Sequence, residues 1–154
     1  MVLGILDKKL GSGALSPTPS LPPASLLAKL YAQLHSAYDE EYGGYSKAPK
    51  FPQPSNLLTM FRLHSWSGQT QDRKKRGLQM NLHTLDMMDK GGIHDHISKG
   101  FARYSTDRQW HVPHFEKMLY DQAQLMMAYT AASLLSPSPR HREVVEDIAS
   151  YVAR

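Results

Sequence analysis

Residues 91–125 read GGIHDHISKGFARYSTDRQWHVPHFEKMLYDQAQL, and the parsing of this stretch decides the fold. Gly91-Gly92 stops the helical pattern before it, as glycine just past a helix does. Residues 91–113 follow no helical period. Connections between packed helices typically run about 2–8 residues, so this one is long. It reads as one long loop or a short β-hairpin, with Ile93, Phe101, Tyr104, Trp110 and Val112 set among polar residues. Periodicity resumes at Pro113, a residue suited to a first helical turn. The spacing predicts a helix from there to residue 135, with Phe115, Met118, Leu119, Met126 and Tyr129 inward.

The pattern extends on both sides of this stretch. Upstream, Leu78, Leu82, Leu85 and Met88 predict a helix over 72–90, and Leu57, Leu58 and Phe61 one over 55–66, opened by Pro54. Leu26, Leu27, Leu30, Leu34, Ala37 and Tyr38 predict another over 24–39. Between these lies GGYSKAPKFPQ (43–53), whose Pro49 and Pro52 bar a central strand. A stiff loop of this kind hints at a shaped pocket wall. Downstream, Ser136-Pro137-Ser138-Pro139 makes a turn, and Val144, Val145, Ile148 and Val152 stripe a fifth helix that runs to Arg154 without a terminating glycine or proline. Long and short connections alternate, which describes stacked αα-hairpins, an all-α fold. Residues 1–22, broken by glycine, serine and proline, read as a flexible leader or linker.

Composition removes several function classes. No cysteine occurs, so disulfides, thiolate metal sites, cysteine nucleophiles and CxxC redox chemistry are absent from these residues. A net charge of +4 is too small to argue for nucleic acid. Arg73-Lys74-Lys75-Arg76 reads as a solvated helix face, because no aromatics interleave it. No stretch approaches the roughly 18 apolar residues of a membrane span. The N-terminus lacks the order of charge and apolar run of a signal peptide, which favours an intracellular setting. Neither nucleic acid nor membrane is an expected partner.

The chemistry concentrates in 91–121, where four of the eight histidines lie. His94, His96, His111, His114 and Glu116 are candidate proton carriers, since imidazole titrates near neutrality. Phe51, Tyr104 and Trp110 offer flat apolar faces, while Arg103 and Asp121 offer directed hydrogen bonds. That mixture suits a polyhydroxylated, sugar-like ligand. His94, Asp95, His96, His111, His114 and Glu116 are also metal-ligand types, but their spacing is not diagnostic, and no metal or cofactor is expected. Glu116 and Asp121, about 140° apart on one helix, make a poor glycosidase pair. A plainer reading stands beside these. Asp95, Arg103, Asp107 and Arg108 tie the loop down, Glu116 complements a helix N-terminus, and Lys117 and Asp121 form an i, i+4 pair.

Three stretches together carry a family resemblance: GGYSKAPKFPQP (43–54), residues 91–125 with their HVPHFEKMLYDQAQL core, and ASYVAR (149–154). Over residues 31–154 the chain resembles the spermatogenesis-associated protein 20 family. The resemblance implies a thioredoxin-like domain with a CxxC-type motif, which these residues lack, followed by a six-hairpin α/α toroid similar to glycosidases and N-acylglucosamine 2-epimerases. Residues 23–154 would be the N-terminal part of that toroid, truncated. Twelve helices with their loops need roughly 200 residues or more, so five helices cannot close the ring. His94, His96, His111, His114, Glu116 and Asp121 match the family motif and would line the toroid's mouth. Ile97-Ser98-Lys99-Gly100 departs from a stretch usually richer in glycine, and Lys99 there could alter loop shape or pocket charge. The parent fold is expected to bind or act on a sugar-like ligand by acid/base chemistry, with this segment alone inactive. The alternative is a non-catalytic binding or regulatory module, linked to the thioredoxin-like domain and associated with spermatogenesis. A sugar-like small molecule and a protein covering exposed helical faces are the expected partners.

Overall fold

Several helix ends have an identifiable local reason. In the computed structural model, which describes residues 23–154, α1 spans Ser25–Ala37, α2 Pro54–Ser65, α3 Gln71–Lys90, α4 Leu119–Leu135 and α5 Pro139–Val152. Pro54 opens α2 from its first turn. The Thr70 hydroxyl accepts the Arg73 N–H at 3.4 Å at the start of α3, and Ser138 does the same for His141 at 3.5 Å before α5. Gly91 ends α3, its N–H on Met87 O at 3.1 Å. It is glycine for a packing reason: a Cβ there would stand 2.6 Å from the Trp110 carbonyl oxygen.

Two helical hairpins, α2–α3 and α4–α5, pack together chiefly through α2 against α4, with α1 laid on α2. The mostly helical, five-helix architecture agrees with the sequence reading. The predicted leader, 1–22, lies outside the described residues. The core gathers Leu57 and Met60 from α2, Met80, Leu85 and Met88 from α3, Leu125 and Tyr129 from α4, and Ile148 from α5. Residues 91–113 contribute to it as well, through the buried side chains of Ile93, Phe101 and Trp110. Burying each such side chain is worth about 1.5–3 kcal/mol, which holds the connection against the helices.

That connection contains a small antiparallel pair: β1 (Tyr104–Ser105) faces β2 (Pro113–His114), Tyr104 opposite His114 and Ser105 opposite Pro113. Lys50 bridges to Ser105 on the far side. The fourth helix therefore starts at Leu119, not near Pro113. Residues 113–116 are occupied by strand-like pairing, which continues to the Arg103 N–H on Glu116 O at 2.8 Å. Phe115 and Leu119, expected inward, are exposed. Glu116 is not in a first helical turn and shares no helix with Asp121. Lys117 turns to Asp95 at 2.8 Å and not to Asp121.

Candidate ligand site

The loop is fastened before it is functional. Lys50, in the proline-flanked segment, has no exposed surface. Its Nζ donates to Asp39 Oδ2 at 2.8 Å and to the Arg108 carbonyl at 3.0 Å, and it lies 5.0 Å from the centroid of the Trp110 ring. Arg108 grips the same carboxylate through Nε at 2.7 Å and a second guanidinium nitrogen at 2.8 Å. Burial alone would raise the Asp39 carboxyl, but the Arg108 and Lys50 bonds outweigh it and hold the group well below the ordinary carboxylate range. Burial likewise pulls Lys50 downward, opposed by Asp39. Trp110 is fully buried with φ 65°, and its indole N–H donates to Tyr42 O at 2.8 Å. Gly44, at φ 81°, admits that ring: a Cβ there would be 2.8 Å from it. Trp110 thus offers no free face to a ligand.

His94 is held by a second cluster. Its Nδ1–H donates to Asp89 Oδ1 at 3.0 Å, and Asp89 in turn accepts two bonds from Arg140 at 2.8 Å each. Burial opposes ionisation of Asp89, yet the His94 and Arg140 bonds keep its carboxyl well below the usual range. The Nε2 of His94 has no hydrogen-bond partner among the described residues and stands 3.7 Å from Asp147 Oδ2. The ring stacks on Phe101 with centroids 4.5 Å apart and adjoins His96 at 4.7 Å. Next to Phe101, the Gln122 side chain bonds both its N–H and its carbonyl, at 2.9 and 2.7 Å, pinning the loop to α4.

Beside the two histidines opens a concavity of about 380 Å³, lined among others by Asp95, Ile97, Phe115 and Lys117. Asp95 anchors this wall, accepting the Ile97 and Ser98 N–H groups at 3.0 and 2.7 Å. The Lys117 ammonium, followed by those N–H bonds, takes its carboxyl down to about 2. Lys99, at φ 67°, reaches across to Asp147. The departure from glycine noted in the sequence therefore ties the loop to α5.

The remaining candidates lie elsewhere. Tyr104 stacks on His114 at 4.8 Å and meets Phe51 in a tilted contact at 4.8 Å, a three-ring ladder across neighbouring strand segments. Arg103 pairs with Glu116 at 3.1 Å, both partly exposed. Asp121 is buried at the start of α4, raised by desolvation, with an unpartnered Oδ2. His111 is exposed on a different concavity. The structure thus joins His94 with His96, and Phe51 with Tyr104 and His114, but not all ten candidates in one place. Among the described residues no group of three or more His, Asp or Glu is arranged to hold a metal. Sequence reasoning missed Lys50, Asp89 and Asp147, because each has a partner about 50 positions away and no local spacing announces the others.

These features define a helical-hairpin protein whose long connection is docked into the core and forms ordered concavity walls. No family model matches the chain. The chain is homologous to spermatogenesis-associated protein 20. It is 54% identical to the human protein over 136 residues, 87% of this chain and 17% of that protein. With the mouse protein the identity is 52% over 131 residues, 85% of this chain and 16% of that protein. An uncharacterized Caenorhabditis elegans protein is 39% identical over 127 residues, 81% of this chain and 17% of its own length. The chain therefore spans about a sixth of the length of the curated relatives it matches.

Proposed function

We propose that the chain is part of a larger six-hairpin α/α toroid of glycosidase-like architecture and that its concavity beside His94 and His96 holds a sugar-like polar ligand. One observation carries the ligand reading: two imidazole rings 4.7 Å apart edge a concavity of about 380 Å³ whose Asp95–Lys117 pair is already fixed. His96 is exposed there and supplies the adaptable hydrogen bond, while Ile97 and Phe115 cover apolar C–H faces.

The toroid reading is supported by α4. Its 17 residues include one charged side chain, Asp121, and that one is buried. Leu119, Tyr120, Met127 and Leu134 nonetheless form an exposed apolar stripe. An exposed apolar face on a helix with so few charges is normally covered. An adjoining helical hairpin of a longer protein is the cover with the matching shape.

Binding without turnover is the better-supported mode. His94 is sealed from solvent, Glu116 is committed to Arg103, and His111 and His114 face other surfaces, so of the five proton-carrier candidates His96 alone opens onto this concavity, where Asp95 is already bound to Lys117. In that mode the segment is a non-catalytic binding or regulatory module. A thermal-shift series with glucose, mannose, N-acetylglucosamine and maltose tests the reading. A ligand present at about 100 times its Kd stabilises by about 2.7 kcal/mol, and His96→Ala removes the shift. No shift with any of the four, or an undiminished shift in the variant, overturns it.

A further inference from the structure

On the other side of Gly91-Gly92 lies a second concavity of about 530 Å³, between the last turn of α3 and residues 107–112. Met87 and Val112 supply apolar walls, and Lys90, Gln109 and His111 supply nitrogen donors. The other cations of this connection and its supports are engaged. Lys50 and Arg108 hold Asp39, Arg103 holds Glu116, Lys99 holds Asp147 and Lys117 holds Asp95. Lys90 and the His111 ring, by contrast, make no side-chain hydrogen bond or ion pair among the described residues, and both line the same concavity. Its wall is rigid. The Asp107 carboxylate accepts the N–H groups of Gln109, His111 and Val112 at 2.7, 3.0 and 2.5 Å, which freezes the turn and offsets its own charge. Trp110, buried between Gln109 and His111, anchors the same turn from beneath.

We infer that this concavity binds a small carboxylate with an apolar body, its charged end between Lys90 and His111 and its body against Met87 and Val112. Lys90 and the His111 ring have no protein acceptor of their own among the described residues, so a negatively charged group can complete them. The C-terminal end of α3 also faces this concavity, and its carbonyls disfavour a dianion more than a monoanion. That argues for a carboxylate over a phosphate. This site is separate from the His94–His96 concavity and does not rest on the sugar reading.

The test is an amide-resonance titration of the full chain at constant ionic strength, with phenylacetate, its neutral analogue phenylacetamide, and inorganic phosphate. Phenylacetate should saturably shift the amides of Gln109, His111 and Val112, and phenylacetamide should bind about tenfold or more weakly. Lys90→Ala and His111→Ala, both surface changes, should each weaken phenylacetate by a comparable factor while the spectrum stays folded. His96→Ala should leave it unchanged. Equal binding of acid and amide would mean a greasy patch without charge recognition and would overturn the inference. So would shifts by phosphate of equal size that survive Lys90→Ala, the signature of an adventitious ion only.

Discussion

A lysine with no exposed surface, on a loop between two prolines, is the residue on which this molecule's loop arrangement turns. Lys50 is tolerated because Asp39 and the Arg108 carbonyl satisfy it and aromatic rings enclose it. Asp39→Ala should therefore cost about 3–5 kcal/mol in urea unfolding, because it strands a buried cation. Lys50→Met, which removes the charge and keeps the bulk, should cost less, since Arg108 still neutralises Asp39 through two bonds. Gly44→Ala places a Cβ 2.8 Å from the Trp110 ring at φ 81° and should cost about 1–3 kcal/mol or more in the same assay. At this scale the sequence was half legible. Asp95, Arg103, Asp107 and Arg108 were readable as loop ties, because charged residues among glycines need partners. Their partners were not all readable: Arg108 reaches Asp39, across 69 positions, and Arg140 reaches Asp89 across 51. Only the fold brings these together.

At the scale of elements, periodicity found all five helices, and proline, serine and glycine marked about half of their ends. The start of α4 is the exception. Pro113 to Met118 satisfies a helical pattern, yet backbone pairing with residues 103–106 takes precedence, and Phe115 and Leu119 point outward. The apolar stripe of α4 has a consequence for stability. Met127→Lys and Leu134→Lys, on exposed positions, should change the unfolding free energy of this chain by about 0.5 kcal/mol or less. Leu125→Ala, fully buried on the same helix, should cost about 2–5 kcal/mol. A large loss from Met127→Lys alone would place that residue in a contact absent from this fold. In a longer homologous protein the same lysine changes should be damaging if a further hairpin covers the stripe.

For the whole molecule, charge pairs add to helix packing in joining distant parts. The Asp39 cluster ties the connection to the chain after α1, the Lys99–Asp147 pair ties it to α5, and the Asp89–Arg140 pair ties α3 to α5. Asp39, Asp89 and Asp95 are all held below the ordinary carboxyl value of 3.8, Asp95 at about 2. A depressed carboxyl stabilises fully above its unfolded value and loses that contribution as pH falls through its folded one. Stability should thus fall as pH drops below about 4 and go on falling past about pH 2, because Asp39 and Asp89 are held lower than Asp95. Acid unfolding followed by circular dichroism checks this. Asp39→Asn should flatten part of that fall.

In the proposed function, the docked connection presents His96 to a sugar-like ligand. Titrating the chain with N-acetylglucosamine, glucose, mannose and maltose while following the imidazole carbon–proton resonances tests it most directly. At least one sugar should move the His96 signal saturably while that of His114, on the separate ring ladder, stays in place. Histidine signals unmoved by all four sugars, or drifting together without saturation, would contradict it.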